Sequence, residues 1–107
     1  MARLEAHYGR HAPLPEPLLA RLSALACAQE GLRGVYLFTM SVGGAPPASA
    51  FGFYTDGSGG LDAANAFLEA AHPDMPASLI SQDLQALPLT REAVAGIRPF
   101  AVILLER

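Results

Sequence analysis

Apolar and polar positions cluster and break along this chain so as to mark out most of its elements. Val35 to Val42 (VYLFTMSV) and Phe100 to Leu105 (FAVILL) are apolar runs rich in aromatic and β-branched side chains and bounded by Gly or Pro. That is the pattern of buried strands. In the first run Tyr36, Phe38 and Met40 fall on one face and Val35 and Leu37 on the other. Ala48 to Thr55 predicts a second strand, with Phe51 and Phe53 facing one way and Ala50, Gly52 and Tyr54 the other. The Gly- and Pro-rich stretch Gly43–Pro47 joins the two, which predicts an antiparallel hairpin. Within it, Gly52 leaves room for another backbone or a bulky cross-strand side chain to approach closely.

Helical spacing takes over on either side of the hairpin. Leu18, Leu22, Leu25 and Gln29, widened by Leu19 and Ala26, form one apolar stripe. The helix opens at Leu14-Pro15-Glu16-Pro17, where prolines suit a first turn and Glu16 complements the dipole, and Gly31 is placed to end it. Leu61, Ala64, Phe67, Leu68 and Ala71 repeat the pattern until Pro73 stops it. Ala77 to Ser81 reads as a short strand and Ser81 to Leu84 as a helical turn. Thr90 caps a second short helix through Ala95, with Gly96 at its end. Pro99 to Leu105 is the final strand, and its unbroken apolar run predicts a central place buried on both faces. Residues 1–13 read as an arm with weak helical potential. The order α-β-β-α-β-α-β predicts an α+β two-layer sandwich over residues 14–107. It has a mixed four-stranded sheet, with helices packed mainly on one face.

Composition changes this picture in one respect. The chain has 107 residues, enough for one domain, but 51% are hydrophobic and only 16% charged, against about a quarter charged in a typical domain. Such an excess means an Ala-padded core or apolar surface covered by a partner, most simply a second copy in a homodimer. Formal charge is −3, and the seven positive charges are scattered arginines with no lysine, which speaks against nucleic acid. The abundance of Ala, Gly, Pro and Arg points to a GC-rich bacterial genome. A single cysteine excludes an internal disulfide. The N-terminus lacks a signal-type apolar stretch, and no run approaches the roughly 20 residues of a membrane helix, so a soluble cytoplasmic protein is expected.

Candidate chemistry is sparse. Asp56-Gly57-Ser58-Gly59-Gly60 before a helix start resembles an anion cradle, with Gly57, Ser58, Gly59 and Gly60 offering backbone N–H groups and Arg98 a guanidinium fork. It lacks the Lys-Ser/Thr of a P-loop, the glycine spacing of a dinucleotide fingerprint and the GxSxG of a nucleophile elbow. The plainer and favoured reading is a flexible strand-to-helix loop with Ser58 or Asp62 helping to cap the helix, and Arg98 as a snorkelling arginine at the sheet edge. His7 and His11 are spaced i, i+4, with Glu5 and His72 as further donors, but Gly9 interrupts any helix between them. Without one, they belong to a solvated arm on which Leu4 and Tyr8 would anchor any contact in trans. Cys27 has no histidine near it in sequence and reads as a small buried hydrophobe. No carboxylate pair can be nominated for acid–base work. No catalytic residue, metal site or cofactor is therefore expected.

The succession Pro17-Leu18-Leu19…Leu22…Leu25, then Gly31-Leu32-Arg33-Gly34-Val35-Tyr36-Leu37, a Gly/Pro hairpin and Ile97-Arg98-Pro99-Phe100 resembles the C-terminal domain of bacterial SseB, the enhanced serine sensitivity protein. The resemblance covers residues 14–107. In that family the domain follows an N-terminal one, which residues 1–13 are too few to form, and members end near an aromatic after Pro-Phe where this chain has Ala101. The resemblance implies an intracellular bacterial protein that acts through protein contacts and carries no established catalytic residue. Two expectations follow. The first is a non-catalytic interaction module that self-associates, with Tyr36, Phe38, Met40, Phe51, Phe53 and Tyr54 of the hairpin as its interface. The alternative is a domain that binds a small anion or phosphate metabolite, or acts on one, through Gly57–Gly60.

Overall fold

The hairpin organises the molecule. In a computed structural model that describes residues 6–44, 46–55, 60–75 and 85–106, strand β2 (Leu32–Val42) pairs antiparallel with β3 (Ala48–Thr55) over nearly its whole length. Gly43 and Gly44 turn the chain between them with φ of 60° and 81°, a conformation side-chain-bearing residues rarely adopt. Helix α1 (Glu16–Cys27) begins after Pro15 and buries Leu22 and Ala26. Helix α2 (Gly60–Ala71) runs to a short 3-10 turn at His72–Asp74, where Pro73 ends it as the sequence predicts. Strand β4 (Gln85–Pro88) lies parallel to β3, and helix α3 (Arg91–Ile97) follows. The Thr90 side chain caps that helix by accepting from the Ala93 N–H at 3.1 Å, as its position suggests. Strand β5 (Val102–Glu106) returns antiparallel to β2.

The result is α+β: three helices and an open, mixed sheet among the described residues. The sheet has five strands rather than four, because Ala6–Gly9 of the arm forms β1 against Thr39–Val42. Local propensity favours helix weakly here, but the exposed edge of β2 offers a ladder, and tertiary pairing outweighs so small a preference. A strand does lie between α2 and α3, at Gln85–Pro88. The expected strand at Ala77–Ser81 and turn at Ser81–Leu84 lie outside the described residues.

Two cores flank the sheet. On one face α1 and α2 cover Val35, Leu37, Phe51 and Phe53, with Leu22, Phe67 and Leu104 completing the layer. On the other, α3 is the one helix among the described residues over Tyr36, Phe38 and Ala50, with Ile97 as its buried anchor and Leu89 and Phe100 packed beside it. A seven-residue helix is about 10 Å long, whereas an eleven-residue strand spans about 36 Å. Among the described residues α3 therefore spans only part of that face, and the remainder is packed by side chains of the flanking segments.

Strand β5 departs from its expected central place. Among the described residues it pairs with β2 only, so it is an edge strand, and Ile103 is 39% exposed. The apolar run is unbroken for another reason. Phe100 and Ala101 belong to the turn that packs under α3, and the register skips Leu104, pairing Tyr36 with Ile103 and Val35 with Leu105. This bulge brings Val102, Leu104 and Leu105 all onto the α1 side.

Candidate functional site

The six hairpin residues split between the faces and are mostly consumed by the fold. Phe51 and Phe53 pack with Phe67 of α2, ring centroids 5.7 and 5.8 Å from it. Tyr36 and Phe38 lie under α3, and all four are at most 4% exposed. Met40 and Tyr54 are half-buried on the α3 face. As an interface, the hairpin thus offers only those two, because its own helices and β1 cover the rest.

Exposed apolar surface lies instead along one sheet edge. Strands β1 and β5 sit end to end on the same side of β2: Gly9 pairs with Thr39, Val102 with Leu37, and Phe38 falls between them. Tyr8, 51% exposed, pairs with Met40, while Ile103 pairs with Tyr36. Both belong to the α3 face, and they are the two large exposed apolar side chains among the described residues. Tyr8 meets Phe38 edge-on at 5.7 Å. Beside it runs an open groove of about 380 Å³ lined by Tyr8, Leu89, Gly96, Ile97 and Phe100. The arm is fastened beyond β1 by His11 Nε2 to Ser49 Oγ at 3.0 Å and by Arg10 donating to the Pro99 carbonyl at 3.4 Å.

A polar cluster closes one end of this edge, where the start of β2 meets the end of β5. The Tyr36 hydroxyl donates to Glu106 Oε2 at 3.0 Å, and Arg98 donates to Glu106 Oε1 at 2.6 Å. Gly34 makes the reach feasible: a Cβ there would lie 2.6–2.9 Å from the Tyr36 ring and hydroxyl, so the ring folds over a position with no side chain. Burial, then the Glu106 hydrogen bond and charge, push the Tyr36 hydroxyl up to about 12. Glu106 is held below the usual carboxylate range by Arg98 first and Tyr36 second. The raised tyrosine stabilises the fold fully below the free value of about 10, and this is lost as pH rises through about 12. The lowered carboxylate contributes above its unfolded value of about 4.3 and is lost as pH falls below it. Urea midpoints measured across pH should therefore fall off on the acid side, and Glu106→Gln should flatten that limb. In the same variant one tyrosine should titrate earlier by absorbance; an unchanged tyrosine titration would refute the bond.

Among the described residues the reactive groups named from the sequence are not brought together. Arg98, the expected anion fork, is engaged by Glu106. Gly57, Ser58 and Gly59 lie outside the described residues, and Gly60 is the first residue of α2. Cys27 is exposed rather than buried, since it follows Ala26 by one residue and so points about 100° away from the stripe. His7 sits on a strand and His11 beyond it, so their spacing does not put them on one helical face. Among the described residues no group of three or more His, Cys, Asp or Glu side chains is placed to hold a metal. None of their helices is long and apolar enough to cross a membrane.

The arrangement can therefore bind by shape and apolar contact, along an edge the sequence reading does not single out. A signal for half of it exists: Leu4-Glu5-Ala6-His7-Tyr8 alternates apolar and polar with a strand's period. Compared with protein-family models, with curated proteins and with solved structures, the chain matches none.

Proposed function

We propose that this chain is a non-catalytic bacterial protein-interaction module that self-associates through its β1/β5 edge. The observation that supports this most is the placement of Tyr8 and Ile103, both on one edge and one face. Exposed apolar residues scattered singly need no explanation, whereas a pair aligned along an open sheet edge is what edge-to-edge association uses. The opposite edge among the described residues is less suited to it: β4 ends in Pro88, which has no N–H to donate. The likeness to the SseB C-terminal domain in residues 14–107 is part of the proposal and points the same way, to protein contacts in the bacterial cytoplasm. Among the described residues nothing favours the anion-binding alternative.

Sedimentation equilibrium from low micromolar to several hundred micromolar chain tests the reading. A reversible monomer–dimer equilibrium is expected, weakened by Ile103→Thr, which keeps β-branching but removes apolar surface, with the urea midpoint of the monomer little changed. A strict monomer over the whole range would sink it.

A further inference from the structure

The edge is symmetric about Phe38, and this specifies how two copies would meet. Counting along β2 from Phe38, Tyr8 stands two positions one way, opposite Met40, and Ile103 two positions the other way, opposite Tyr36. Strands β1 and β5 both run antiparallel to β2 and hence parallel to each other. A two-fold axis perpendicular to the sheet at the Phe38 level therefore lays β1 antiparallel to the β5 of a second copy, and β5 antiparallel to its β1. Such an axis keeps each sheet face on its own side. We infer that this chain forms an isologous dimer in which Tyr8 packs against the partner's Ile103, and Ile103 against the partner's Tyr8, on the α3 face.

The inference rests on the self-association proposed above and adds its register. Two features commit it to a second copy. The edge is self-complementary, so one contact occurs twice, as a closed two-fold interface requires. Only a register centred on Phe38 covers both exposed apolar residues at once; an axis through Ile103 would pair it with itself and leave Tyr8 in solvent. The bulge at Leu104 bends the edge just beyond Ile103, so the regular part of the ladder ends there. A contact this short belongs to the small, reversible class of interfaces.

Cross-linking reads the register directly. In a Cys27→Ser background, Tyr8→Cys and Ile103→Cys are made in separate chains, one carrying a size tag, and are oxidised alone and mixed. Residues directly opposite in an antiparallel ladder have Cα atoms about 4.5–5.5 Å apart, within the span of a disulfide. Tyr8 and the partner's Tyr8 stand four positions apart, about 13 Å, beyond the roughly 7 Å limit. The expected result is a covalent dimer in the mixture and none from either chain alone. A wild type that sediments as a dimer, with variants that give homotypic disulfides or none in the mixture, overturns this register and leaves self-association standing. A wild type that stays monomeric overturns both. Should Tyr8→Cys fail to fold, Ile103→Cys still decides: a homotypic disulfide refutes the register, and a non-covalent dimer without one supports it.

Discussion

Phe51→Ala is expected to destabilise the protein by about 3–5 kcal/mol, with no dependence on protein concentration. Phe51 is fully buried. It stacks near Phe53, with centroids 6.2 Å apart, and meets Phe67 edge-on at 5.7 Å. Three rings from β3 and α2 thus form one cluster, and Leu22 and Leu37 close the same core around it. Truncation removes the transfer free energy of the ring, two aromatic contacts of about 0.5–1.5 kcal/mol each and the packing of a site that collapses poorly. That loss is a large share of the about 5–15 kcal/mol available to a domain of this kind. Urea unfolding followed by far-UV circular dichroism, at two concentrations tenfold apart, measures it. If Phe51 instead served an interface between chains, the monomer would barely notice the change and the loss would grow with concentration. That outcome would overturn its assignment to the core.

The contrast between Phe51 and Tyr8 shows which parts of this protein its sequence discloses. Alternation in Val35–Val42 and Ala48–Thr55 settles which side chains share a face, and the structure keeps both assignments. The proline-rich opening of α1, the stop at Pro73 and the Thr90 cap act within a turn of the chain, so they too are visible locally. What alternation cannot say is how much of each face is covered. Phe51 and Tyr8 look alike as aromatics of alternating strands until the elements that pack over each are known: one is fully buried and the other 51% exposed. Where β1 and β5 pair is likewise a matter of distant partners: Tyr36 and Glu106 are 70 positions apart, and nothing near either announces the other. The unbroken run before Glu106 even misleads, because a bulge and a turn imitate burial on both faces. The edge that carries the functional proposal is therefore the feature least legible from the chain alone, whereas the shielded hairpin is the most conspicuous.

Gly52→Val should have the second largest effect, about 2–3 kcal/mol, and it acts on the other core. Gly52 pairs with Tyr36 in the ladder and faces α3. A Cβ at this position would lie 2.9 Å from both Leu89 Cγ and Phe38 Cε1, closer than carbon atoms pack. Leu89 is half-buried and could swing away, but Phe38 is fully buried beneath Tyr8 and α3. The branched side chain must push Phe38 toward Tyr8 or lift the Leu89 segment from β3, where the Leu89 N–H donates to the Phe53 carbonyl at 2.9 Å. A gain in β-propensity over glycine offsets only part of this strain. Gly52→Ala, which adds the Cβ alone, should cost less, and the graded pair separates crowding from any loss of backbone freedom. Because Phe38 supports Tyr8, Gly52→Val should also weaken self-association beyond what the monomer's stability explains. Equal urea midpoints for Gly52→Val and wild type would show that the space over Gly52 is not closed, and that α3 does not pack on the sheet as described.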